Sequence, residues 1–207
     1  MALTKTKFYF VRHGKSTAAE DGLIQGRGLK VPLTEDGHKQ AQAVAEYLKN
    51  FSFDLIFAST ASRSKETARH VREFHNSIPY HEIFALNERY RGRFEGTSKE
   101  EFEKNYPDVL LAWKNDIDVR PGDGESFEDV HNRVMPVIEK HLKEYEGKTL
   151  LYIIHGNVIR VILGSMLNIP FGKQSKLKQD YCALNVASFD HGRNRWEVEC
   201  VNKNFYD

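Results

Sequence analysis

The chain has 207 residues, 40% hydrophobic and 12% aromatic, with a formal net charge of +1 at pH 7. This length and composition suit one globular domain with a substantial core. The near-neutral charge, without a polybasic segment or zinc-ligand spacing, argues against a nucleic-acid partner, and no apolar run approaches the roughly 20 residues of a membrane helix.

The first predicted element is a buried strand over Phe8 to Val11, and Arg12-His13-Gly14 follow it directly. Ligands of open α/β sheets bind beyond the carboxyl ends of strands, so an arginine and an imidazole there indicate a phosphoryl site. The next residues, Gly14-Lys15-Ser16-Thr17, resemble the end of a nucleotide-binding P-loop. That motif needs a glycine five positions before Gly14, where this chain has Tyr9 inside the strand, so the P-loop interpretation fails.

The next segments predict a helix that covers the sheet, a second strand with its own helix, and a helical lid beside the sheet. Thr34 to Lys49 has apolar residues at helical spacing after a capping threonine. Asp54 to Ala58 predicts a strand, and Ala61 to Phe74 predicts the helix after it, with Arg63 in its first turn. Residues 97–120 contain a capping-box pattern and a proline helix start, which predict a short helical lid that selects substrate.

The remaining elements complete an α/β pattern. A long amphipathic helix from Phe127 to Leu142 contains Pro136, which predicts a kink or a break. Thr149 to Ile154 predicts a strand that ends in His155-Gly156, and an apolar helix follows from Asn157 to Leu167. Two further strands flank the turn His191-Gly192-Arg193-Asn194, which indicates an antiparallel hairpin. We therefore predict a single three-layer α/β/α domain over residues 1–207, with a mostly parallel central sheet.

Location and redox state follow from the ends of the chain and its cysteines. The first residues lead into a short strand that ends in Arg12, which makes a poor signal peptide. Cys182 and Cys200 have neither CxxC nor metal-ligand spacing, so we expect two reduced thiols. A cytoplasmic protein without a membrane partner is the expectation, and monomer and homodimer both remain open.

The residues at the strand ends predict phosphoryl transfer to histidine. His13 is the candidate nucleophile, because a neutral imidazole attacks phosphorus well when a neighbouring acceptor holds its other N–H. Arg12 and Arg63 are predicted to bind phosphate oxygens, and His155 to donate a further hydrogen bond. These cations supply the charge that Mg²⁺ supplies in kinases, so we expect no metal. Glu88 fits the acid that protonates the leaving alkoxide and then activates water.

The candidate phosphoryl-transfer residues lie in several motifs that are spaced along the chain. They are Arg12-His13-Gly14, Ser59-Thr60-Ala61-Ser62-Arg63 with Thr67-Ala68, Leu86-Asn87-Glu88 with Gly92 and Glu95-Gly96, Gly124-Glu125-Ser126, and His155-Gly156-Asn157 with Arg160. In order and setting they resemble the histidine phosphatase superfamily, the phosphoglycerate-mutase-like enzymes, over most of the chain. The resemblance implies catalytic roles for His13, Glu88 and His155, and no cofactor.

We also predict which residues contact the substrate, a small phosphorylated metabolite. They are Gln25, Gly26, Arg89 and Asn157. Ala19 departs from the family pattern, because many relatives have a phosphate-contacting asparagine there. Arg89, Arg91 and Arg93 alternate beside Glu88, which fits either a substrate with a second anionic group or a solvated charged segment.

The resemblance leaves hydrolysis and mutase activity as alternatives. The family's mutases carry paired arginines in a longer lid, where this chain has Trp113-Lys114-Asn115-Asp116 shortly before Gly124-Glu125-Ser126. A short lid admits water, so a metal-independent phosphomonoesterase is favoured over a cofactor-dependent phosphoglycerate mutase. A non-catalytic phosphate-binding module is the third alternative, and the retention of His13, Glu88 and His155 argues against it.

Overall fold

A computed structural model describes residues 4–28 and 30–206 of the chain. Its strands are Lys5–Arg12 (β1), Leu55–Ala58 (β2), Tyr80–Glu82 (β3), Thr149–Ile154 (β4), Leu184–Asp190 (β5) and Arg195–Lys203 (β6). Its helices are Thr17–Glu20 (α1), Glu35–Leu48 (α2), Ser62–Phe74 (α3), Lys99–Asn105 (α4), Pro107–Lys114 (α5), Phe127–Glu144 (α6), Gly156–Met166 (α7) and Phe171–Gln174 (α8).

The six strands form one mixed sheet in the order β3-β2-β4-β1-β5-β6. The first four strands in that order pair in parallel, and β5 and β6 add antiparallel pairs at one side. This confirms the predicted α/β class, the mostly parallel sheet and the carboxyl-terminal hairpin. The crossover helices between parallel strands cover both faces of the sheet.

Both faces of the central strands are buried, and side chains alternate between two cores. On β4, Leu150, Tyr152 and Ile154 face the core that α6 and α7 cover. Leu151 and Ile153 face the other core, which α2 and α3 cover. Because parallel strands that are buried on both faces read as continuous apolar runs, β1 and β4 are visible in the sequence.

The helix α2 begins close to the loop after β1. Thr34 caps the helix, since its hydroxyl accepts a hydrogen bond from the backbone N–H of Gly37 at 3.0 Å. It also donates to the carbonyl oxygen of Lys15 at 3.3 Å. A Cβ atom at Gly14 would lie 2.4 Å from the carbonyl oxygen of Gly37, so only glycine permits this close approach.

Some elements differ from the predictions. The break at Pro136 is wrong, because α6 continues from Phe127 to Glu144. Pro136 and Asn132 lie on the solvent-exposed face of the helix, where a carbonyl without a helical partner is accessible to water, while Val134 and Ile138 pack on the opposite face. The short elements α1, β3 and α8 were not predicted, because three or four residues carry too little periodicity.

The lid and the cysteines agree with the sequence. The helices α4 and α5 lie within residues 97–120, and Ser98 caps α4 by accepting from the N–H of Glu101. Cys182 and Cys200 are free thiols. Within the described ranges, no helix has the length and hydropathy needed to cross a bilayer. Residues 1–3, on which the signal-peptide and domain predictions partly depend, lie outside those ranges, as does residue 207.

We predict that Thr34→Ala lowers the free energy of unfolding by about 1 kcal/mol, because the first turn of α2 loses its side-chain cap. Thr34→Ser keeps the hydroxyl and serves as the matched control for the lost methyl group. Urea unfolding of the three proteins measures the difference. Equal loss of stability in both variants would show that the hydroxyl contributes nothing.

Candidate active site

The sheet brings three sequence motifs to one edge. In the parallel pair of β1 and β4, Arg12 lies opposite Ile154, and the N–H of His13 donates to the carbonyl oxygen of Ile154 at 2.9 Å. His13 and His155 therefore follow adjacent strand ends, and their ring centroids are 5.1 Å apart. The strand β2 ends on the other side of β4 and leads into α3, which carries Arg63 in its first turn.

The imidazole of His13 has its two nitrogens in different roles. Its Nδ1 lies 2.7 Å from the carbonyl oxygen of Gly14, which only accepts, so Nδ1 carries the proton. Its Nε2 therefore has the free lone pair, and the Nε–H of Arg63 donates to it at 3.3 Å. This is the tautomer and backbone contact that the sequence analysis predicts for a nucleophile.

Neutral carbonyl groups hold the guanidinium of Arg63. Its Nη1 donates to the carbonyl oxygen of Gly28 at 2.8 Å, and its Nη2 donates to that of Gly26 at 2.9 Å. The carboxylate of Glu95 fixes the same loop, since it accepts from the N–H groups of Arg27 at 2.6 Å and Gly28 at 3.2 Å. Glu95 thus holds the loop that orients Arg63.

The second imidazole has a buried hydrogen-bond partner that the sequence analysis missed. The hydroxyl of Ser59 lies 2.6 Å from Nε2 of His155, and it accepts from the N–H of Ala61 at 3.4 Å. Donation of the hydroxyl proton to Nε2 satisfies Ser59 and leaves the proton of His155 on Nδ1. That Nδ1 is buried and has no partner within the described part of the chain, so its N–H is free to donate to a bound oxyanion.

Burial keeps both imidazoles neutral. It lowers the pKa of His13 well below 6.5, and the positive charges of Arg63 and Arg12 lower it further. Burial and Arg63 lower the pKa of His155 in the same way. Burial also lowers the pKa of Arg63 to about 10, which leaves this guanidinium charged at neutral pH. The site therefore combines uncharged imidazoles with cationic arginines.

Glu88 lies at the amino-terminal end of α7. One carboxylate oxygen accepts from the N–H of Arg89 at 2.7 Å, and the other from the N–H of Asn157 at 3.4 Å. Glu88 is 6% exposed and lines the same cavity as Arg12. This position suits an acid that serves the leaving oxygen of a bound phosphoester.

A salt bridge holds the segment that carries Glu88. Arg133 of α6 donates to the carbonyl oxygens of Ala85 at 2.6 Å and Glu88 at 3.1 Å, and to the carboxylate of Glu125 at 2.8 Å. Glu125 also accepts from the N–H of Tyr90 at 2.9 Å. Glu125 lies in the motif Gly124-Glu125-Ser126, whereas Arg133 was not predicted, because an arginine on a helix carries no local signal.

A cavity of about 270 Å³ is lined by Arg12 and Gly156, the chain neighbours of the two imidazole residues, and by Glu88. Arg12 lines it, with its guanidinium carbon 3.9 Å from the centroid of the Tyr181 ring and its Nη1 donating to the carbonyl oxygen of Gln179 at 2.6 Å. The remaining lining includes two of the predicted substrate contacts, Gln25 and Asn157. It also includes Ala19, Ile24, Glu88, Arg91, Lys99 and Arg160.

The other two predicted substrate contacts occupy different surroundings. The carbonyl oxygen of Gly26 faces Arg63. Arg89 donates to the carbonyl oxygens of Glu125 and Val119, at 2.5 and 2.7 Å, and lines a neighbouring cavity of about 220 Å³. Arg91, Asn157 and Arg160 line both that cavity and the one beside the imidazoles.

Comparisons with known proteins agree on one family. The model of the histidine phosphatase superfamily, branch 1, matches residues 8–204. The 2,3-bisphosphoglycerate-dependent phosphoglycerate mutase 2 of Gloeobacter violaceus is 33% identical over 87% of this chain and 84% of its own. The metal-independent phosphoserine phosphatase of Arabidopsis thaliana is 33% identical over 76% and 67%. The structure of the alpha-ribazole phosphatase from Shigella flexneri is 27% identical, with a TM-score of 0.82 and coverage of 95% and 96%.

We predict that neither His13 nor His155 takes up a proton between pH 8 and pH 6, because both pKa values lie well below 6.5. Their Cε1–H signals in NMR spectra, assigned by comparison with His13→Gln and His155→Gln, should stay constant over this range. In the urea-unfolded chain the same protons should titrate near ~6.5.

The lowered pKa values of His13 and His155 also determine how folding stability changes with pH. Below pH 6.5 the unfolded chain binds protons at these two positions and the folded chain does not, so folding stability decreases as the pH falls. A folded-state titration of either ring with a midpoint near 6.5 would contradict the prediction.

Proposed function

The chain belongs to branch 1 of the histidine phosphatase superfamily, and from this we propose that it is a phosphomonoesterase acting on a small phosphorylated metabolite. The observation that carries the proposal is the tautomer of His13. Its Nδ1–H is held by the carbonyl oxygen of Gly14, and its Nε2 lone pair points at Arg63. A neutral imidazole with a free lone pair beside two guanidinium groups suits attack on a phosphate dianion.

In the first step, Nε2 of His13 forms a bond to phosphorus, and the bond from phosphorus to the ester oxygen breaks. The electron pair of that bond stays on the ester oxygen, which takes the proton of the Glu88 carboxylic acid. The alcohol leaves, and a phosphohistidine remains. The N–H held by Gly14 keeps the ring oriented while its positive charge develops.

In the second step, water attacks the phosphohistidine. The Glu88 carboxylate takes a proton from the water, whose oxygen bonds to phosphorus while the bond from nitrogen to phosphorus breaks. The electron pair returns to Nε2, inorganic phosphate leaves, and Glu88 is again protonated. One carboxyl therefore serves as acid and then as base, and both groups return to their starting states.

Three donors stabilise the charge on the phosphoryl oxygens in this proposal. Arg12 has a buried Nε without a partner among the described residues, and it lines the cavity. The Nδ1–H of His155 is free in the tautomer that Ser59 sets. Arg63 exchanges its contact with Nε2 of His13 for a phosphate oxygen. These fixed donors supply transition-state stabilisation without a metal ion, as proposed from the sequence.

A mutase is the second candidate, and one observation favours it. Arg89, Arg91 and Arg160 line the neighbouring cavity, which would suit the carboxylate of a phosphoglycerate. We propose hydrolysis because the lid consists of two short helices, and residues 113–116 lack the paired arginines of the mutases.

The free thiols of Cys182 and Cys200 support a cytoplasmic location for the enzyme.

We predict that His13→Ala lowers phosphomonoester turnover by at least about 1,000-fold with the fold intact, because the nucleophile has no substitute. Glu88→Gln should reduce turnover by about 100-fold or more through loss of the proton donor. His81→Ala, on the exposed strand β3, is the matched control and should retain activity. Phosphate release and trapping of ³²P on the protein are the measurements.

Retained turnover in His13→Ala would overturn the mechanism. Phosphate-ester binding without turnover, unaffected by Glu88→Gln, would instead identify a phosphate-binding module.

We also predict inorganic phosphate, and no 2-phosphoglycerate, as the product from a panel of phosphomonoesters that includes 3-phosphoglycerate. The assay is run in EDTA, with and without 2,3-bisphosphoglycerate. A short lid leaves water in the site, so hydrolysis should outpace return of the phosphoryl group. Bisphosphoglycerate-dependent formation of 2-phosphoglycerate would identify a mutase, and loss of activity in EDTA would contradict metal independence.

A further inference from the structure

A third cavity, with a mostly apolar lining, lies beside the lid helices. It measures about 220 Å³, and the helices α4 and α5 form part of its wall. Its apolar lining consists of Ile24, Phe94, Phe102, Leu110, Trp113 and Pro121, and the charged residues Arg91, Lys99 and Glu103 complete the wall. Three of these side chains form a cluster of rings, with centroids 5.0 Å apart for Phe94 and Phe102 and 5.5 Å apart for Phe102 and Trp113. The cluster gives the cavity a fixed aromatic wall.

This cavity adjoins the one beside the two imidazoles. Ile24, Arg91 and Lys99 line both of them. Ile24 is fixed by backbone hydrogen bonds, since its N–H donates to the carbonyl oxygen of Thr97 at 2.8 Å and its carbonyl oxygen accepts from Gly96 at 2.9 Å. The next residue, Gln25, faces the catalytic cavity. The boundary between the two cavities is therefore one backbone segment and two long cationic side chains.

Those two side chains make no direct ion pair with a carboxylate among the described residues, although the charges of Glu88 and Glu95 act on Arg91. Neither Arg91 nor Lys99 makes a side-chain hydrogen bond or ion pair within residues 4–28 and 30–206, and the guanidinium of Arg91 lies 5.5 Å from the Trp113 ring. Each of these side chains borders both cavities. A substrate can thus pass between them without breaking a salt bridge.

We propose that this cavity binds the organic part of the substrate, and that the enzyme acts on phosphomonoesters with an apolar alkyl or aromatic group. The inference rests on the proposed phosphomonoesterase function and specifies its substrate class. The phosphate lies beside His13, and the apolar group extends past Ile24 toward Phe94, Phe102 and Trp113. Apolar cavities of about 150 Å³ hold a benzene molecule, so the volume here suits a ring or a chain of several carbon atoms.

The test is a series of alkyl phosphates, methyl, butyl and hexyl, whose charge and leaving-group chemistry are nearly equal. Burial of a methylene group contributes about a fourfold gain in binding. We therefore expect kcat/KM to rise by at least about tenfold from methyl to hexyl phosphate. Equal kcat/KM values along the series, with phosphate released from each ester, would overturn the substrate class and leave the phosphomonoesterase function standing. Failure of every ester to release phosphate would count against the phosphomonoesterase function itself.

A matched pair of lid variants assigns the effect to the cavity. Leu110 lines it, whereas the neighbouring Leu111 is 59% exposed on the same helix. Leu110→Gln should remove most of the gain in kcat/KM with hexyl phosphate, measured against methyl phosphate in the same variant. Leu111→Gln should preserve the gain. An unchanged gain in Leu110→Gln, or an equal loss in both variants, would overturn the assignment.

A charged analogue tests whether the enzyme prefers an apolar group or a second anionic group on the substrate. 3-Carboxypropyl phosphate has a chain similar in length to butyl phosphate but ends in a carboxylate, which the arginine-lined cavity of Arg89, Arg91 and Arg160 would favour. We expect kcat/KM to be higher for butyl phosphate. A higher value for the carboxylate would overturn the apolar assignment.

Discussion

The pairing of β1 with β4 is the constraint on which the rest of the site depends. One register places Arg12 opposite Ile154, so the residues after both strands, His13 and His155, lie side by side. A shift of one residue would turn the alternating side chains of β4 toward the wrong cores and separate the two rings. Because each strand is buried on both faces, the hydrophobic cores that stabilise the sheet also fix the distance between the imidazoles.

Neutral carbonyl and amide oxygens, and not carboxylates, accept the hydrogen bonds of the buried arginines around the site. Arg63 donates to two backbone carbonyls, Arg12 to another, and Arg160 to the carbonyl oxygen of Leu177 and the amide oxygen of Asn157. Carboxylate partners would orient these side chains equally well but would cancel their charge. Carbonyl dipoles fix the guanidinium groups and leave their charge available to an anionic phosphate, while the carboxylates of Glu88 and Glu95 act on Arg63 without direct contact.

The sequence predicts what depends on local pattern and misses what depends on long-range contacts. The strands β1 and β4, the cap at Thr34 and the position of Arg63 follow from periodicity and strand-end logic, and the structure agrees. Ser59 and Glu95 lie in motifs that the sequence shows, but their contacts, like those of Arg133, are with partners many positions away, so no local spacing reveals what they do. The strand β3 is too short to show a pattern. The tautomers of the two histidines likewise require a three-dimensional hydrogen-bond network.

The contact between Arg63 and His13 gives the resting protein a chemical selectivity. The Nε2 lone pair of His13, the proposed nucleophile, already accepts a hydrogen bond, and the residue is only 1% exposed. Small electrophiles such as aldehydes or acylating agents offer Arg63 no anionic group in exchange for that bond, so they meet a masked imidazole. A phosphate does offer one. In the proposed mechanism, the anion that is to be attacked therefore releases its own nucleophile, and the resting histidine is protected from side reactions.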